Sequence, residues 1–343
     1  MSKRIAVIGS GISGLVSAYL LSEHHEVSLF EANDYLGGHT NTISVDIADE
    51  QYAIDTGFIV FNKKTYPNFC QLINKLNIPI QMSEMSFSYR SINNDLEYNG
   101  HSLNTLFSDR RNLFKLSFYR FIKEILLFNN DAKKFLAEAQ RSDISIKEFL
   151  ERQKYSAQFK ECYLIPMMSA IWSKNKTDIF NCSAHYIFKF FVNHGLLDSY
   201  NRPPWYVIAQ GSKSYIPPMI AKLNERIYLN TEIKTIIREA NHVVLKSENT
   251  ESIFDSVVIA SHSNQALKLL AQPTEEEINI LSAIKYKENA VVLHTDENIM
   301  PKRKLSWASW NYFDNGRSLP SLTYYMNRLQ AIQSRTNFFV SMN

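Results

Sequence analysis

The 343 residues carry 45% hydrophobic and 13% aromatic side chains, enough for two packed cores. Lys and Arg number 37 against 34 Asp and Glu, and a formal charge of +3 leaves no broad nucleic-acid footprint; no apolar run is long enough to span a bilayer. The three cysteines, Cys70, Cys162 and Cys182, form no CxxC pair and are odd in number, which fits a reducing cytoplasm and predicts free thiols.

Residues 4–8 read as a buried strand that turns sharply into a helix through Gly9-Ser10-Gly11-Ile12-Ser13-Gly14. In such a unit Gly9 takes angles that a side chain forbids, Gly11 removes a Cβ where a pyrophosphate approaches the main chain, and Gly14 lets the helix lie close to the strand. The N–H groups at the helix N-terminus, those of Ile12 and Ser13 among them, are predicted to meet the phosphates. Val27-Ser28-Leu29-Phe30 is the second strand. Glu31 ends it, where a carboxylate accepts the ribose hydroxyl protons of an adenosine and repels a 2′-phosphate, so an NADP-type ligand is disfavoured.

A second glycine pair follows in Glu31-Ala32-Asn33-Asp34-Tyr35-Leu36-Gly37-Gly38-His39-Thr40, where backbone amides can approach a diphosphate from its other side. This order of an acid, an alanine, a few residues and Gly-Gly resembles the FAD-dependent amine oxidoreductase superfamily, which includes amine oxidases, phytoene desaturases and protoporphyrinogen oxidases. The resemblance implies FAD rather than NAD. With it, Ala32, Gly37, Gly38, His39 and Thr40 are expected beside the cofactor, His39 standing where the family usually has arginine. His39 is read either as a pH-dependent phosphate partner or as a solvated loop histidine.

Residues 51–54 and 58–61 read as strands flanking Asp55-Thr56-Gly57, a turn whose Gly57 can bring backbone near a ligand. In the resembling superfamily this region lies near the flavin; otherwise Asp55 simply caps the turn. Tyr66, Phe69, Leu72, Ile73 and Leu76 recur at helical steps until Asn77 and Pro79 stop them. Residues 82–99 read as a hairpin around Asn93-Asn94-Asp95. From about 103 to 197 the pattern is helical and free of repeats. Within it, 106–128 sets Arg110, Arg111, Lys115, Arg120 and Lys123 among aromatic and aliphatic residues, read either as an interfacial helix or as an ordinary one with its lysines outward.

Trp205-Tyr206-Val207-Ile208 reads as a strand, Gln210-Gly211-Ser212 as a turn, and 213–223 as a helix with Pro217 and Pro218 near its start. Short strands are expected at 227–229, 233–237, 242–245 and 254–260. The last resembles the strand that re-enters the main sheet, with Ser261-His262-Ser263 at the carboxyl edge where open α/β sheets place ligands. In the superfamily a residue placed like Ile233 offers its backbone to the adenine; Ile233 is otherwise a plain strand residue. The end of the chain, 338–343, reads as a strand, and the resemblance implies a glycine-rich strand and helix beyond it that cover the flavin; that segment is expected to be missing here.

The blocks Asp55-Thr56-Gly57-Phe58-Ile59-Val60-Phe61-Asn62, Leu96-Glu97-Tyr98-Asn99-Gly100, Ala170-Ile171-Trp172-Ser173, Asn193-His194-Gly195-Leu196-Leu197 and Trp307-Ala308-Ser309-Trp310-Asn311-Tyr312 together resemble a bacterial branch of predicted NAD/FAD-binding oxidoreductases. Members of that branch are often encoded beside cyclopropane-fatty-acid synthase-like methyltransferases. The expected fold is α/β: a Rossmann-like FAD-binding domain of the GR2 flavoprotein type from residues 1–65 and 205–270, with an inserted, mainly helical substrate domain from 66–204 and 271–343.

No HExxH, metal-spaced Cys/His cluster or nucleophile elbow is present, so no metal is expected and no catalytic residue is assigned. Trp172, Trp205, Trp307, Trp310, Tyr312 and Tyr324 are candidates to line an apolar pocket, with core filling as the other reading of each. Lys174 and His194 are the polar candidates, for which a surface role is the simpler reading. The expected function is FAD-dependent hydride removal from an apolar, fatty-acyl or other lipid-like small substrate. An amine oxidase of the same superfamily is one alternative, and a non-catalytic flavoprotein partner of a lipid methyltransferase is another. The expected location is the cytoplasm, with a peripheral contact at the inner membrane.

Overall fold

A computed structural model describes residues 2–93, 95–138, 144–198, 202–223, 225–316 and 321–342; Asn94, in the expected hairpin turn, lies outside them. The chain forms two compact units, one of Met1–Ile59, Gln71–Pro79 and Ile208–Glu288, the other of Val60–Cys70, Ile80–Val207 and Asn289–Asn343.

The first unit is built on a parallel sheet. Strand β1 (Arg4–Ile8) lies between β2 (Glu26–Phe30) and the strand Ser256–Ile259, with Ile227–Tyr228 beyond β2. Four consecutive residues of β1 and four of β2 are buried, the pattern of strands covered on both faces. Helix α1 (Ile12–Leu21) makes the crossover between them. Ala6, Ile8, Phe30, Ile236, Leu245 and Phe254 share one core, in which Phe30 stacks on Tyr228 at 4.9 Å and meets Phe254 edge-on at 5.8 Å. The strand expected to re-enter the main sheet does so, Ile5 opposite Ser256. The strand expected from 233 begins at Thr235, and Ile233 lies before it with its side chain in this core. An antiparallel hairpin of β3 (Thr42–Ile47) and β4 (Glu50–Asp55) completes the part that matters for the site. The sequence reading missed β3, although Ile43, Val45 and Ile47 alternate with polar residues as a half-exposed strand requires.

The second unit has a helical core around Phe128, Phe159 and Phe188. It also holds a six-stranded mixed sheet, in the order Val291–His294, Phe339–Met342, Ser321–Tyr325, Trp310–Asp314, Phe87–Ser91 and Glu97–Asn99. The long helix Leu116–Ala137 packs Phe118 and Phe121 with Tyr89, Tyr98, Tyr312 and Leu322 of that sheet. The expected hairpin is its edge, Tyr89 opposite Tyr98. The sheet itself was not anticipated, because its parallel pair, Phe87–Ser91 beside Trp310–Asp314, joins residues far apart in the chain. No helix among the described residues is long and apolar enough to cross a membrane.

Candidate functional site

The glycine-rich turn sits at the carboxyl end of β1, and its glycines divide by their surroundings. Gly9 has φ +95°, and a Cβ there would lie 2.8 Å from the Ala260 carbonyl oxygen; a Cβ on Gly14 would lie 1.8 Å from the Gly9 oxygen. Both positions are glycine because the protein itself packs there. Gly11 has an ordinary φ of −61°, and a Cβ added to it would meet no atom within 4 Å. It precedes α1, whose first turn has no side-chain cap, and Ile12 and Ser13 beside it are exposed. A glycine that the fold does not need, at an uncapped helix N-terminus, fits a group that brings negative charge close to the backbone.

The second glycine pair closes on the first turn. Gly37 and Gly38 take φ +116° and +56°, and a Cβ on Gly38 would lie 3.2 Å from Gly11 Cα. The Gly37 N–H donates to the Ser10 carbonyl at 3.1 Å, and the Thr40 N–H to the Gly37 carbonyl at 2.9 Å. The Thr40 hydroxyl is engaged with that of Tyr215. Gly57, expected to approach a ligand, approaches His39: its Cβ would lie 2.1 Å from the His39 carbonyl oxygen, which also accepts the Phe58 N–H at 2.8 Å. The His39 ring is exposed and stacks on His262 with centroids 5.9 Å apart, and His262 stacks on Tyr286 at 4.2 Å. Sequence reasoning had put His262 at a ligand-bearing edge without pairing it to His39.

Glu31 is buried and its carboxylate is fully bonded. One oxygen accepts the N–H and hydroxyl of Ser10 at 2.9 and 2.6 Å; the other accepts the N–H and side-chain amide of Asn33 at 3.0 and 2.8 Å. Burial pushes its pKa up, but the hydrogen bonds from Ser10 and Asn33 together outweigh that and hold it below the ordinary glutamate value. The result is a fixed negative charge beside the glycine turn, with Ala32 exposed next to it.

Asp55, at the end of β4, does more than cap a turn. It accepts the Thr42 hydroxyl at 2.6 Å and the Ser212 N–H and hydroxyl at 2.8 and 2.9 Å, while the Lys213 N–H donates to Thr42 Oγ1 at 2.9 Å. Burial raises its pKa, against the pull of those bonds. Thr42 and Ser212 were missed. The one hint was Gly211, whose φ of +89° leaves room for Thr42, with Cγ2 only 2.4 Å from where a Cβ would stand.

The aromatic candidates of the second unit separate into two kinds. Trp307 and Tyr312 are core residues, and Trp307 Nε1–H donates to the Pro301 carbonyl at 2.9 Å. Trp310 is half-buried, meets Tyr324 edge-on at 5.0 Å, and its Nε1–H makes no hydrogen bond. Trp172, Phe190, His194 and Trp205 form a column, with His194 3.9 Å from Phe190 and 5.9 Å from Trp205. His194 is half-buried in this column; burial lowers its pKa, and its Nδ1 lies 2.9 Å from the Phe190 carbonyl oxygen. Lys174 is exposed, its amine 3.6 Å from Cys182 Sγ.

The model of the flavin-containing amine oxidoreductase family matches residues 12–334. Solved structures similar to this chain include the cyclohexylamine oxidase of Brevibacterium oxydans, with a TM-score of 0.68 at 13% identity over 100% of this chain and 75% of that one. A wild-type putrescine oxidase bound to putrescine matches with 0.67 at 14% identity, over 100% and 75%. The conjugated-linoleic-acid-producing fatty acid isomerase of P. acnes matches with 0.66 at 16% identity, over 99% and 76%. At these identities the likeness establishes the fold. No curated protein sequence matches the chain significantly.

Proposed function

The chain belongs to the family of flavin-containing amine oxidoreductases, its cofactor is FAD and its chemistry oxidoreduction; from that premise we propose that its substrate is apolar and lipid-like. FAD when bound supplies the hydride acceptor. The residues of the first unit hold it. Glu31, held in place by the backbone N–H groups of Ser10 and Asn33, would hold the adenosine ribose. The backbone at Gly11–Gly14 and Gly37–Thr40 would hold the diphosphate, with His39 as its side-chain partner, and the backbone at Ile233 would hold the adenine.

The observation that carries the substrate reading is the half-buried Trp310 edge-on to Tyr324 on the mixed sheet, an aromatic pair whose indole N–H is buried without a hydrogen-bond partner. A fatty acid isomerase among the proteins of this fold supports it. The test is anaerobic bleaching of flavin absorbance in the FAD-loaded chain by acyl phospholipids and, separately, by polyamines. Bleaching by the lipids alone is expected. Bleaching by amines alone would make the protein an amine oxidase, and bound flavin bleached by neither would favour the non-catalytic partner of a methyltransferase.

A further inference from the structure

The second unit carries an exposed segment in which charge and apolarity are sorted in opposite directions. Between residues 103 and 127 there are two carboxylates, Asp109 and Glu124, and both are buried. Asp109 accepts from Arg111 at 2.6 Å and lies 3.2 Å from Arg303; Glu124 accepts the Ser156 hydroxyl. The five cations of the same stretch, Arg110, Arg111, Lys115, Arg120 and Lys123, are all exposed. Arg111 also pairs with Asp95 at 2.9 Å and Arg120 lies 3.9 Å from Glu124, which leaves Arg110, Lys115 and Lys123 without an acidic partner among the described residues and no exposed acid between 103 and 127.

Large apolar side chains stand with these cations. The short helical turn Arg110–Phe114 ends where the long helix begins, so that Phe114, Lys115 and Leu116 form its tip, with Phe114 89% and Leu116 87% exposed. Tyr119 is 46% exposed and its hydroxyl donates to the Leu113 carbonyl at 3.0 Å, fixing the turn behind the tip. Leu103, 76% exposed, lies on the neighbouring turn, which Arg110 ties down through Asn104 Oδ1 at 2.6 Å. Water is a poor solvent for such a patch.

We propose that this tip is a docking surface for an anionic lipid bilayer, entering the headgroup region with Phe114 and Leu116 while Lys115, Arg120 and Lys123 meet lipid phosphates. Charge decides against a second copy of the chain: a twofold contact would bring like-charged faces together with no acid to compensate. The inference rests on this exposure pattern and stands whatever the substrate proves to be.

The test is flotation of the full FAD-loaded chain with vesicles of phosphatidylcholine plus phosphatidylglycerol, against phosphatidylcholine alone. Binding to the anionic vesicles is expected, weakened by high salt. The double variant Phe114→Ser/Leu116→Ser should lose binding by about tenfold or more, and Lys115→Glu/Lys123→Glu should lose the preference for anionic lipid, both with unchanged flavin spectra and melting. Phe114→Trp should shift its emission to the blue on adding anionic vesicles. Absence of flotation, or equal flotation by the double variant, would overturn the proposal. So would concentration-dependent self-association that these substitutions abolish while no vesicle binds.

Discussion

Glu31 and Ser10 are joined twice, one carboxylate oxygen accepting both the backbone N–H and the hydroxyl of Ser10. A neutral amide can reproduce the shape of this contact and not its charge. Glu31→Gln is expected to weaken FAD binding by about 1.5–3 kcal/mol, roughly ten- to a hundredfold, as the charge-assisted bonds are lost. Fluorescence titration of the apoprotein with FAD measures it; an unchanged Kd would remove Glu31 from the site.

Gly11 and Gly14 should part company when each becomes alanine. At Gly11 the new methyl group has open space and an ordinary φ, so the apoprotein should be as stable as before or gain about 0.4–1 kcal/mol, while FAD binding falls. At Gly14 it would collide with the Gly9 carbonyl and destabilise the unit by about 1–3 kcal/mol or more. Urea unfolding of both apo variants, beside FAD titration of Gly11→Ala, separates a ligand glycine from a packing glycine.

Asp55 gives the first unit a pH dependence of known sign. Its folded pKa is raised, chiefly by burial, above that of an unfolded aspartate near 3.9. The stability tied to this group is therefore complete below that value and is lost as pH rises through the folded pKa. Asp55→Asn keeps an acceptor for Thr42 and Ser212 without the charge, so its stability relative to the parent should improve from pH 4 to pH 8. A relative stability that stays flat or falls over that interval would contradict the assignment.

Trp307 and Trp310 should respond oppositely to phenylalanine. Trp307→Phe forfeits the bond to the Pro301 carbonyl and leaves that oxygen buried, which costs about 1–3 kcal/mol. Trp310→Phe removes an N–H that has no partner, so melting should be unchanged or slightly raised, and the effect should fall on KM for substrate. A loss of stability at 310 as large as at 307 would make both plain core residues.

The nucleotide-binding half was legible because its glycines answer local geometry: Gly9 and Gly14 are dictated by a strand, a turn and a helix adjacent in the chain. What could not be read depends on partners far apart. Asp55 looked like a turn cap because Ser212 enters from elsewhere in the sequence, and the six-stranded sheet stayed hidden because Tyr89 pairs with Tyr312 across the whole helical region. Trp307 and Trp310 are three residues apart and chemically alike, and their burial and the Pro301 carbonyl tell them apart only in the fold. Composition showed the cations of 110–123, whereas the burial of Asp109 and Glu124, which leaves no exposed acid beside them between 103 and 127, emerged only from the fold.

The pairing of Ile5 with Ser256 also sets a clock on biosynthesis. The ribosome emits about five to twenty residues per second, so the inner flank of β1 stays uncovered for roughly ten to fifty seconds until its neighbour is made. During that interval the nascent glycine-rich turn has no Ala260 beside Gly9. Until the last parallel strand is made, that edge of β1 keeps its backbone groups open to pairing with other chains.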